Sequence, residues 1–524
     1  MAYTILPKGG YALDNQAYLG IELGSTRIKC VLINPHYKII ATGSHQWENI
    51  LDNGLWTYTL QAVWEGVQKS FANLIQSYGN TIPNIVSIGV SGMMHGYLAF
   101  DKNHCLLTPF RTWRNTTTQP AAKALTQAFE FNIPQRWSIA HFYQCILNQE
   151  AHVQDVDFLT TLAGYVHWQL TGEKVLGIGD ASGMFPILDG TYNEKMLEKF
   201  ASLCPNNINL QAILPQIKAA GTNAGALTPQ GALLLDPTGA LPSGIAFCPP
   251  EGDAGTGMVA TNSIKVRTGN ISAGTSVFAM VVLEKPLANI YPQIDMVTTP
   301  AGKHVAMVHC NNCASDIDAW VNLFEEMLTA FGTKPCKDQL YQMLYSKALE
   351  GDTDCGGVLS YNYFSGEPIT DLDEGRPLLL RTPSAKFNLA NTMRSLLFSA
   401  VATLKIGMKI LEAEDVKIDT ILGHGGFFKT PIVGQQLMAA ALNTPISVMA
   451  SAGEGGPWGM ALLAAYMAQK ADDETLAGFL TQVFQTETLH TITPNAKDVS
   501  GFLTYLDKYT NALEVQRSAT VNFR

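Results

Sequence analysis

The sequence carries little charge for its length and has no strongly basic region. Only 15% of its 524 residues are Asp, Glu, Lys or Arg, and the formal net charge is −10 at pH 7. A protein that binds duplex nucleic acid needs a basic face, and a protein held on an anionic membrane needs a polybasic patch. The composition therefore argues against nucleic acid and against a membrane surface as partners.

Cysteines are few and long apolar runs are missing. The nine cysteines are odd in number and widely spread, so we expect no disulfide framework and a cytoplasmic location. Cys310 and Cys313 have the spacing of a redox or zinc half-site, but no second pair follows, which favours plain buried or helix-starting thiols. The first residues lack a signal-peptide pattern, and the apolar stretches are either too short to span a bilayer or interrupted, as by Lys405.

The chain also lacks the G-x-x-x-x-G-K-[ST] motif, which excludes a P-loop protein. A length of 524 residues exceeds what one hydrophobic core usually supports, so at least two domains are expected.

Two segments share one layout of strand, small-residue turn and strand. The first is YLGIELGSTRIKCVLIN, residues 18–34, and the second is SIKVRTGNISAGTSVFAMVV, residues 263–282. We therefore place a boundary near Ala260 and predict two α/β domains of similar design, residues 1–260 and 261–524.

Other patterns predict the elements around these two units. Residues 84–101 repeat the strand and turn, and residues 231–260 are rich in Gly and Pro, which is typical of a linker or of loops lining a cleft. Helices are predicted for 158–172 (ending at Gly172), 315–332 (beginning at Ser315) and 391–414. Glycine loops are expected at Gly425-Gly426 and from Gly453 to Gly456, the latter followed by a small-residue helix.

The first turn has the chemistry of a phosphate site. Backbone N–H groups of a tight turn converge on one point, Ser25 and Thr26 add hydroxyl donors, and Gly24 permits close approach. Lys29 adds charge if it faces the same side. An ordinary hairpin turn has a similar sequence, so this turn alone is a weak signal, and the SAGTS turn in the second segment strengthens it.

The ordered motifs GIELGSTRIKCVL, GVSGMMHG, EGDAGTG, GNISAGTSVF, GHGGFFKTPIVGQQLMAAALNTPI and GEGGPWGMALLAA resemble those of the FGGY carbohydrate kinases over roughly residues 17–470. The resemblance implies two actin-like (ribonuclease-H-like) ATPase domains with a central catalytic cleft that holds ATP and a sugar. It assigns the sugar and the catalytic base to the N-terminal domain and the nucleotide to the C-terminal one. A homodimer is common among such kinases.

The resemblance also implies the residues that bind ATP. It assigns the first turn, with Lys29, to the phosphates, and the second turn looks like the family's other phosphate loop. The Gly425-Gly426 loop is similar to the one that contacts adenosine. The implied ATP-binding residues are Gly24, Ser25, Thr26, Lys29, Gly274, Thr275, Ser276, Gly425, Gly426 and Lys429.

The family's catalytic base is an aspartate in a G-D-x-x-x-G setting, and here only EGDAGTG fits, which selects Asp253. A carboxylate within hydrogen-bond reach of a sugar hydroxyl can take its proton as the P–O bond forms. The SGMMHG stretch is similar to the S-G-Q-M-H-G motif of xylulose kinases, which implies sugar contacts from Met94 and His95.

The RTWRNTTT stretch, residues 111–118, follows where the family has a Trp-Asn-Asp run that lines the sugar site. The implied sugar contacts are Trp113 as an apolar wall and Arg114 and Asn115 as hydroxyl partners, together with Asp253.

Several residues depart from the family pattern. Glu22 stands where Asp is usual, and the resemblance makes it the residue that would hold Mg²⁺ through water. Met93 replaces a usual Gln, Ala254 a usual Asn, and Asn115 a frequent Asp. Most of these changes fall in the stretches that the resemblance assigns to sugar binding. The motifs therefore support the type of reaction more strongly than the identity of the substrate.

The sequence thus predicts an ATP-dependent kinase that phosphorylates a terminal hydroxyl of a ketose, with a ketopentose such as xylulose favoured. Three alternatives stay open. One is a kinase of the same family for ribulose, rhamnulose, gluconate, glycerol or erythritol. The others are an actin-like ATPase that is not a kinase, and a kinase fold that senses sugar without activity.

Overall fold

The computed structural model describes residues 16–204, 208–449 and 455–523. The chain divides into two compact units. Unit 1 contains Met1–Ile264, Met296–Val305 and Glu454–Thr486, and unit 2 contains Lys265–Asp295, Ala306–Gly453 and Glu487–Arg524. The domains 1–260 and 261–524 stay a prediction, and the structure adds that unit 1 takes segments from both halves of the chain.

The strands are, in chain order, β1 (Gln16–Leu23), β2 (Arg27–Ile33), β3 (Ile39–Gln46), β4 (Ile50–Asp52), β5 (Leu55–Thr57), β6 (Asn84–Gly92), β7 (Leu98–Phe100), β8 (Phe158–Thr160), β9 (Val175–Gly177), β10 (Ile187–Leu188), β11 (Thr191–Tyr192), β12 (Gln216–Lys218), β13 (Ala246–Phe247), β14 (Glu251–Gly252), β15 (Thr268–Ala273), β16 (Val277–Val282), β17 (Ile294–Thr298), β18 (His304–Cys310), β19 (Val358–Asn362), β20 (Pro377–Arg381), β21 (Thr420–His424), β22 (Ile446–Met449) and β23 (Leu489–Ile492).

The α-helices are α1 (Leu60–Tyr78), α2 (Gln119–Phe129), α3 (Ser138–Leu147), α4 (Leu162–Thr171), α5 (Ile178–Ser182), α6 (Glu194–Leu203), α7 (Leu210–Ile213), α8 (Pro229–Leu235), α9 (Asp253–Ala260), α10 (Ser315–Ala330), α11 (Lys337–Ala348), α12 (Leu389–Ala413), α13 (Val433–Leu442), α14 (Gly455–Gln469), α15 (Leu476–Val483), α16 (Ala496–Asn511) and α17 (Leu513–Asn522). Short 3₁₀ turns lie at Ala151–Asp155, Cys355–Gly357, Pro368–Thr370 and Gly426–Phe428. None of the helices in the described ranges is long and apolar enough to cross a membrane.

The main sheet of unit 1 has the strand order β13-β6-β1-β2-β3, and β14 also pairs with β6. β1 and β2 form the predicted antiparallel hairpin. β6 runs parallel to both β1 and β14, with Leu23 opposite Gly92 and Gly252 also opposite Gly92. Because parallel strands end at the same edge, the residues that follow Leu23, Gly92 and Gly252 emerge side by side.

The sheet of unit 2 repeats this design, as the sequence predicts. Its strand order is β17-β18-β16-β15-β21-β22-β23. β15 and β16 form an antiparallel hairpin, and β21 runs parallel to β15 with His424 opposite Ser272. The 272–276 turn and the Gly425-Gly426 loop therefore leave neighbouring strand ends.

Most predicted helices are confirmed, with one difference. α4 begins after Thr161, whose side chain accepts the Gly164 N–H, and ends at Gly172 in the left-handed region (φ 83°), but residues 158–160 form a strand that pairs with β7. α10 begins at Ser315 with Asp316 and Asp318 in its first turn, and α12 covers most of 391–414.

The prediction that residues 231–260 form only a linker or loops is wrong. They contain the end of α8, the short strands β13 and β14, and the buried helix α9. Both strands pair with β6. This pairing joins distant parts of the sequence, so the local Gly and Pro content could not predict it.

The small-residue helix α14 packs tightly against β1 in unit 1. A Cβ atom added to Gly20 would lie 2.1 Å from the Pro457 carbonyl oxygen and 2.6 Å from the Ala461 backbone nitrogen. The helix predicted after the second glycine loop is confirmed, whereas Gly453 of that loop lies outside the described residues.

We expect Gly20→Ala to destabilise unit 1, because the added methyl group meets backbone atoms that no side-chain rotation can move. Overpacking of this kind costs about 1–3 kcal/mol, and the change is measured as the free energy of unfolding in urea. Gly478→Ala, near the start of α15, is the control, since its added Cβ meets only side-chain atoms. Equal stability of the two variants would contradict the packing argument.

Candidate functional site

Asp253 is the first residue of α9 and follows β14 directly. Its half-buried carboxylate accepts the backbone N–H of Ala254 at 2.9 Å and also that of Met94, which follows the end of β6. Burial raises the pKa of the Asp253 carboxyl to about 6, and those hydrogen bonds oppose the rise. A carboxylate with a pKa near the working pH is suited to act as a general base.

Three further acidic side chains of this region have raised pKa values, and two of them, Glu22 and Asp180, are affected by the charge of Asp253. Burial, with the charge of Asp253 second, raises the pKa of Glu22 to about 8, and Lys29 opposes this rise. Burial raises the pKa of Asp180 to about 7, and the charge of Asp253 contributes. Burial, with the charge of Asp180 second, raises the pKa of Glu251 to about 8. At neutral pH this region of unit 1 therefore retains protons on carboxyl groups.

The sequence analysis missed Asp180 and Glu251. The Glu251 carboxylate accepts the backbone N–H groups of Gly179 at 3.3 Å and Asp180 at 2.9 Å. Asp180 Oδ2 accepts the Thr161 hydroxyl at 2.6 Å, while its buried Oδ1 has no hydrogen-bond partner in the part of the chain that the structure describes. The position of Glu251, two residues before Asp253, was the only local signal.

The turn at residues 24–26 is held in place by hydrogen bonds that its carbonyl groups accept. Trp47 Nε1 donates to the Gly24 carbonyl at 2.7 Å, the Tyr58 hydroxyl donates to the Ser25 carbonyl at 2.6 Å, and the Trp47 backbone N–H donates to the Thr26 carbonyl at 3.2 Å. In a trans peptide group the C=O and the following N–H point in opposite directions. The N–H groups of Ser25 and Thr26 therefore point away from these aromatic residues, as a phosphate-binding turn requires.

Glu22 and Lys29 occupy opposite positions on the β1–β2 hairpin. Directly opposite residues of an antiparallel pair share a face of the sheet. Lys29 therefore lies on the Glu22 side, which agrees with its effect on the Glu22 pKa.

Met94 and His95 pack beside the aspartate. Cβ atoms added to Gly252 and Gly183 would lie 2.2 Å and 2.9 Å from side-chain atoms of Met94, so glycine is needed at both positions. His95 lies in the left-handed region (φ 67°), its Nδ1 is 3.0 Å from the Gly183 carbonyl, and its ring stacks on Trp137. The buried Met94–His95 pair thus forms one wall next to Asp253.

The side chains of the loop at residues 112–115 make more contacts within the protein than the sequence suggests. Asn115 donates to the carbonyls of Trp56 at 2.8 Å and Thr112 at 3.0 Å, and its Oδ1 accepts the Trp56 N–H at 2.8 Å. Both amide hydrogens of Asn115 are thereby used. Arg114 is exposed and stacks on the Trp56 ring at 4.4 Å, and Trp113 Nε1 donates to Ser25 Oγ at 3.3 Å. The sugar contacts assigned to these residues stay predictions.

The turn at residues 274–276 in unit 2 is held in the same manner. The backbone N–H of Cys313 donates to the Thr275 carbonyl and that of Ala314 to the Gly274 carbonyl, each at 2.9 Å. The N–H groups of Thr275 and Ser276 therefore point away from this support. Cys310 and Cys313 are buried free thiols, as predicted.

The glycine loop after β21 lies directly on the end of β15. A Cβ atom added to Gly425 would lie 2.4 Å from the Ala273 carbonyl oxygen, and Gly425 has a φ of 98°, so both space and backbone conformation require glycine. Gly426 and Lys429 are exposed beside it. The predicted nucleotide-binding residues of unit 2 thus cluster at one edge of its sheet.

We expect the contribution of Glu251 to the stability of the fold to decrease as the pH rises from about 5 to 8. In this range folded Glu251 holds a proton that the unfolded chain, with an ordinary pKa, releases, so the folded state loses its advantage as the pH approaches 8. Glu251→Gln should remove this contribution, so the slope of Tm against pH, measured by calorimetry, should be more positive in the variant than in the wild type. The exposed Glu48→Gln should leave the slope unchanged, and equal slopes in both variants would show that Glu251 holds no such proton.

Comparison with known proteins identifies this arrangement. Residues 17–238 match the N-terminal domain of the FGGY family of carbohydrate kinases, and residues 269–468 match its C-terminal domain. The chain is 24% identical to a xylulose kinase from Haemophilus influenzae over 448 residues, which are 82% of this chain and 86% of that protein.

Solved structures share the fold. A ligand-bound xylulose kinase from Lactobacillus acidophilus gives a TM-score of 0.78 at 18% identity, over 97% of this chain and 99% of that one. A gluconate kinase from the same organism gives the same values. A Plasmodium falciparum glycerol kinase with ADP gives 0.75 at 16% identity, over 96% and 98% of the two chains. The predicted two-domain actin-like α/β fold is confirmed, and the chain belongs to the FGGY family of carbohydrate kinases, enzymes that transfer a phosphoryl group from ATP to a sugar.

Proposed function

We propose that this protein transfers the γ-phosphate of ATP to a terminal hydroxyl of a ketose, with a ketopentose such as xylulose as the favoured substrate. The observation that carries the proposal is the position of Asp253. Its carboxylate lies at the carboxyl end of β14 and is hydrogen-bonded to the backbone of Met94. The 24–26 turn follows the end of β1 at the same edge of the sheet. The similarity to proteins named xylulose kinase supports the choice of sugar.

In this mechanism Asp253 takes the proton of the attacking hydroxyl as the bond to phosphorus forms. Burial keeps the carboxylate poorly hydrated, so it is a stronger base than an exposed aspartate, and the α9 N-terminus stabilises it when ionised. Met94, His95 and Trp113 orient the sugar. The N–H groups of the 24–26 turn, with the hydroxyls of Ser25 and Thr26, offset the phosphate charge.

Glu22 fits the chemistry of a magnesium site. Its carboxyl is half-buried, and the nearby charge of Asp253 disfavours its ionised form, so a divalent cation would stabilise the carboxylate. Mg²⁺ prefers oxygen ligands and keeps several waters, and when bound it would neutralise phosphate charge. We therefore assign Glu22 as the residue that holds Mg²⁺ through water. A cytoplasmic location is consistent with nine free cysteines.

The substrate is tested with a coupled assay of ATP turnover across xylulose, ribulose, rhamnulose, gluconate, glycerol and erythritol. We expect the highest kcat/KM with a ketopentose. Gluconate or glycerol as the best substrate would keep the reaction and replace the sugar, which matters because structural neighbours carry those names. ATP turnover that no member of the panel stimulates would overturn the proposal.

Asp253→Asn should lower kcat about 100-fold or more, the scale of general-base catalysis. The fold and ATP binding should persist, because the amide oxygen can still accept the N–H groups of Ala254 and Met94. Asp155→Asn, an exposed aspartate of unit 1, is the matched control and should retain full activity. Near-normal turnover in Asp253→Asn would remove the assigned base.

The pH profile provides a separate test. Asp253 acts as a base only when ionised, so kcat/KM should fall as the pH drops through about 6, the raised pKa of its carboxyl. The measurement is kcat/KM between pH 5 and 9 with a coupling system checked at each pH. A profile that stays flat to pH 5 would contradict this assignment.

A further inference from the structure

The loop that carries Trp113 is attached to β5 through its backbone. The Thr112 N–H donates to the Trp56 carbonyl at 3.1 Å, and Asn115 bonds both the N–H and the carbonyl of Trp56. Asn115 is buried, so these bonds are shielded from water. The position of Trp113 is therefore fixed relative to β5.

β5 also leads into the aromatic residues that hold the 24–26 turn. Tyr58 follows β5 directly, stacks on Trp47 with ring centroids 4.1 Å apart, and donates its hydroxyl to the Ser25 carbonyl. Trp47 holds the Gly24 carbonyl. The 112–115 loop and the 24–26 turn are thus supported by one continuous piece of unit 1.

A side-chain hydrogen bond from Trp113 also links the 112–115 loop directly to the 24–26 turn. Its indole N–H donates to Ser25 Oγ at 3.3 Å, and the half-buried ring packs against the hydrophobic core. A serine hydroxyl can accept and donate at once. Because the indole N–H occupies an acceptor position, the Ser25 O–H is left to donate, and donation strengthens when the oxygen also accepts a hydrogen bond.

We propose that Trp113 is a positioning residue that couples the sugar-binding wall to the phosphate turn, by holding the Ser25 hydroxyl as a donor toward a phosphate of ATP. A sugar packed on the indole would restrict the ring and so strengthen this bond. ATP would then be held best when the sugar is present, which limits hydrolysis without an acceptor. The inference rests on the proposed function, since it needs a sugar at Trp113 and ATP at the turn.

The test is a double-mutant cycle with Trp113→Phe, Ser25→Ala and the combined variant. Phenylalanine keeps a smaller aromatic wall and removes the indole N–H donor, and the control below accounts for the lost ring area. Trp64→Phe is the matched control, because Trp64 is another half-buried tryptophan of unit 1 whose Nε1 donates to a hydroxyl, that of Tyr165, at 3.0 Å. The Kd of a non-hydrolysable ATP analogue with Mg²⁺ is measured by calorimetry with and without xylulose, because ATP itself would be turned over when the sugar is present. The kcat/KM for ATP is measured alongside.

In the presence of xylulose, Trp113→Phe should weaken ATP binding about 3- to 10-fold, the worth of one hydrogen bond. Ser25→Ala should weaken it at least as much, and the combined variant should match Ser25→Ala alone, because both changes remove the same bond. Without xylulose the effect of Trp113→Phe should be smaller. Trp64→Phe should bind ATP normally.

Two results would overturn the inference: additive effects of the two substitutions, or a Trp113→Phe variant that matches Trp64→Phe. Failure of the proposed function is distinguishable, because it would appear as a wild-type protein that no sugar stimulates or an Asp253→Asn variant that keeps its activity. In those cases the cycle on ATP binding without sugar still decides whether Trp113 acts through Ser25.

Discussion

The parallel pairing of β6 with both β1 and β14 is the constraint on which the unit 1 site depends. It places the ends of three strands in one row, at Leu23, Gly92 and Gly252. The 24–26 turn, the Met94–His95 wall and Asp253 each follow one of these ends, so a shift in register would separate them. Space beside Gly92 is small, since an added Cβ would lie 3.2 Å from the Ala163 backbone nitrogen.

The turns at residues 24–26 and 274–276 are oriented in the same way by different partners. In unit 1 the turn carbonyls are held by Trp47 and Tyr58, and in unit 2 by the backbone N–H groups of Cys313 and Ala314. A planar peptide unit cannot turn its C=O without turning its N–H, so holding the carbonyls aims the donors. Donors fixed in this way lose little free energy to reorganisation when an anion binds.

Buried acidic side chains with raised pKa values are a shared feature of this region of unit 1. Burial of Glu22, Asp180 and Glu251 disfavours their charged forms, and each pKa rises by several units from its ordinary value. The same burial also raises the pKa of Asp253. Glu251 and Asp180 accept buried hydrogen bonds from Gly179 and Thr161, so their removal would leave those donors unpaired.

The choice of Asp253 as the base rests on the resemblance to the FGGY kinases and stays a prediction. The sequence by itself determined the local units: strand–turn–strand around Gly24 and again around Gly274, and the start of α10 at Ser315. These depend on residues close together in the chain. Only the tertiary structure revealed the supports from Trp47 and Tyr58, the proximity of Asp180 to Asp253, the bonds between Asn115 and Trp56, and the strands within residues 231–260. Each of these is a contact between segments distant in sequence, and composition carries no record of which distant segments pair.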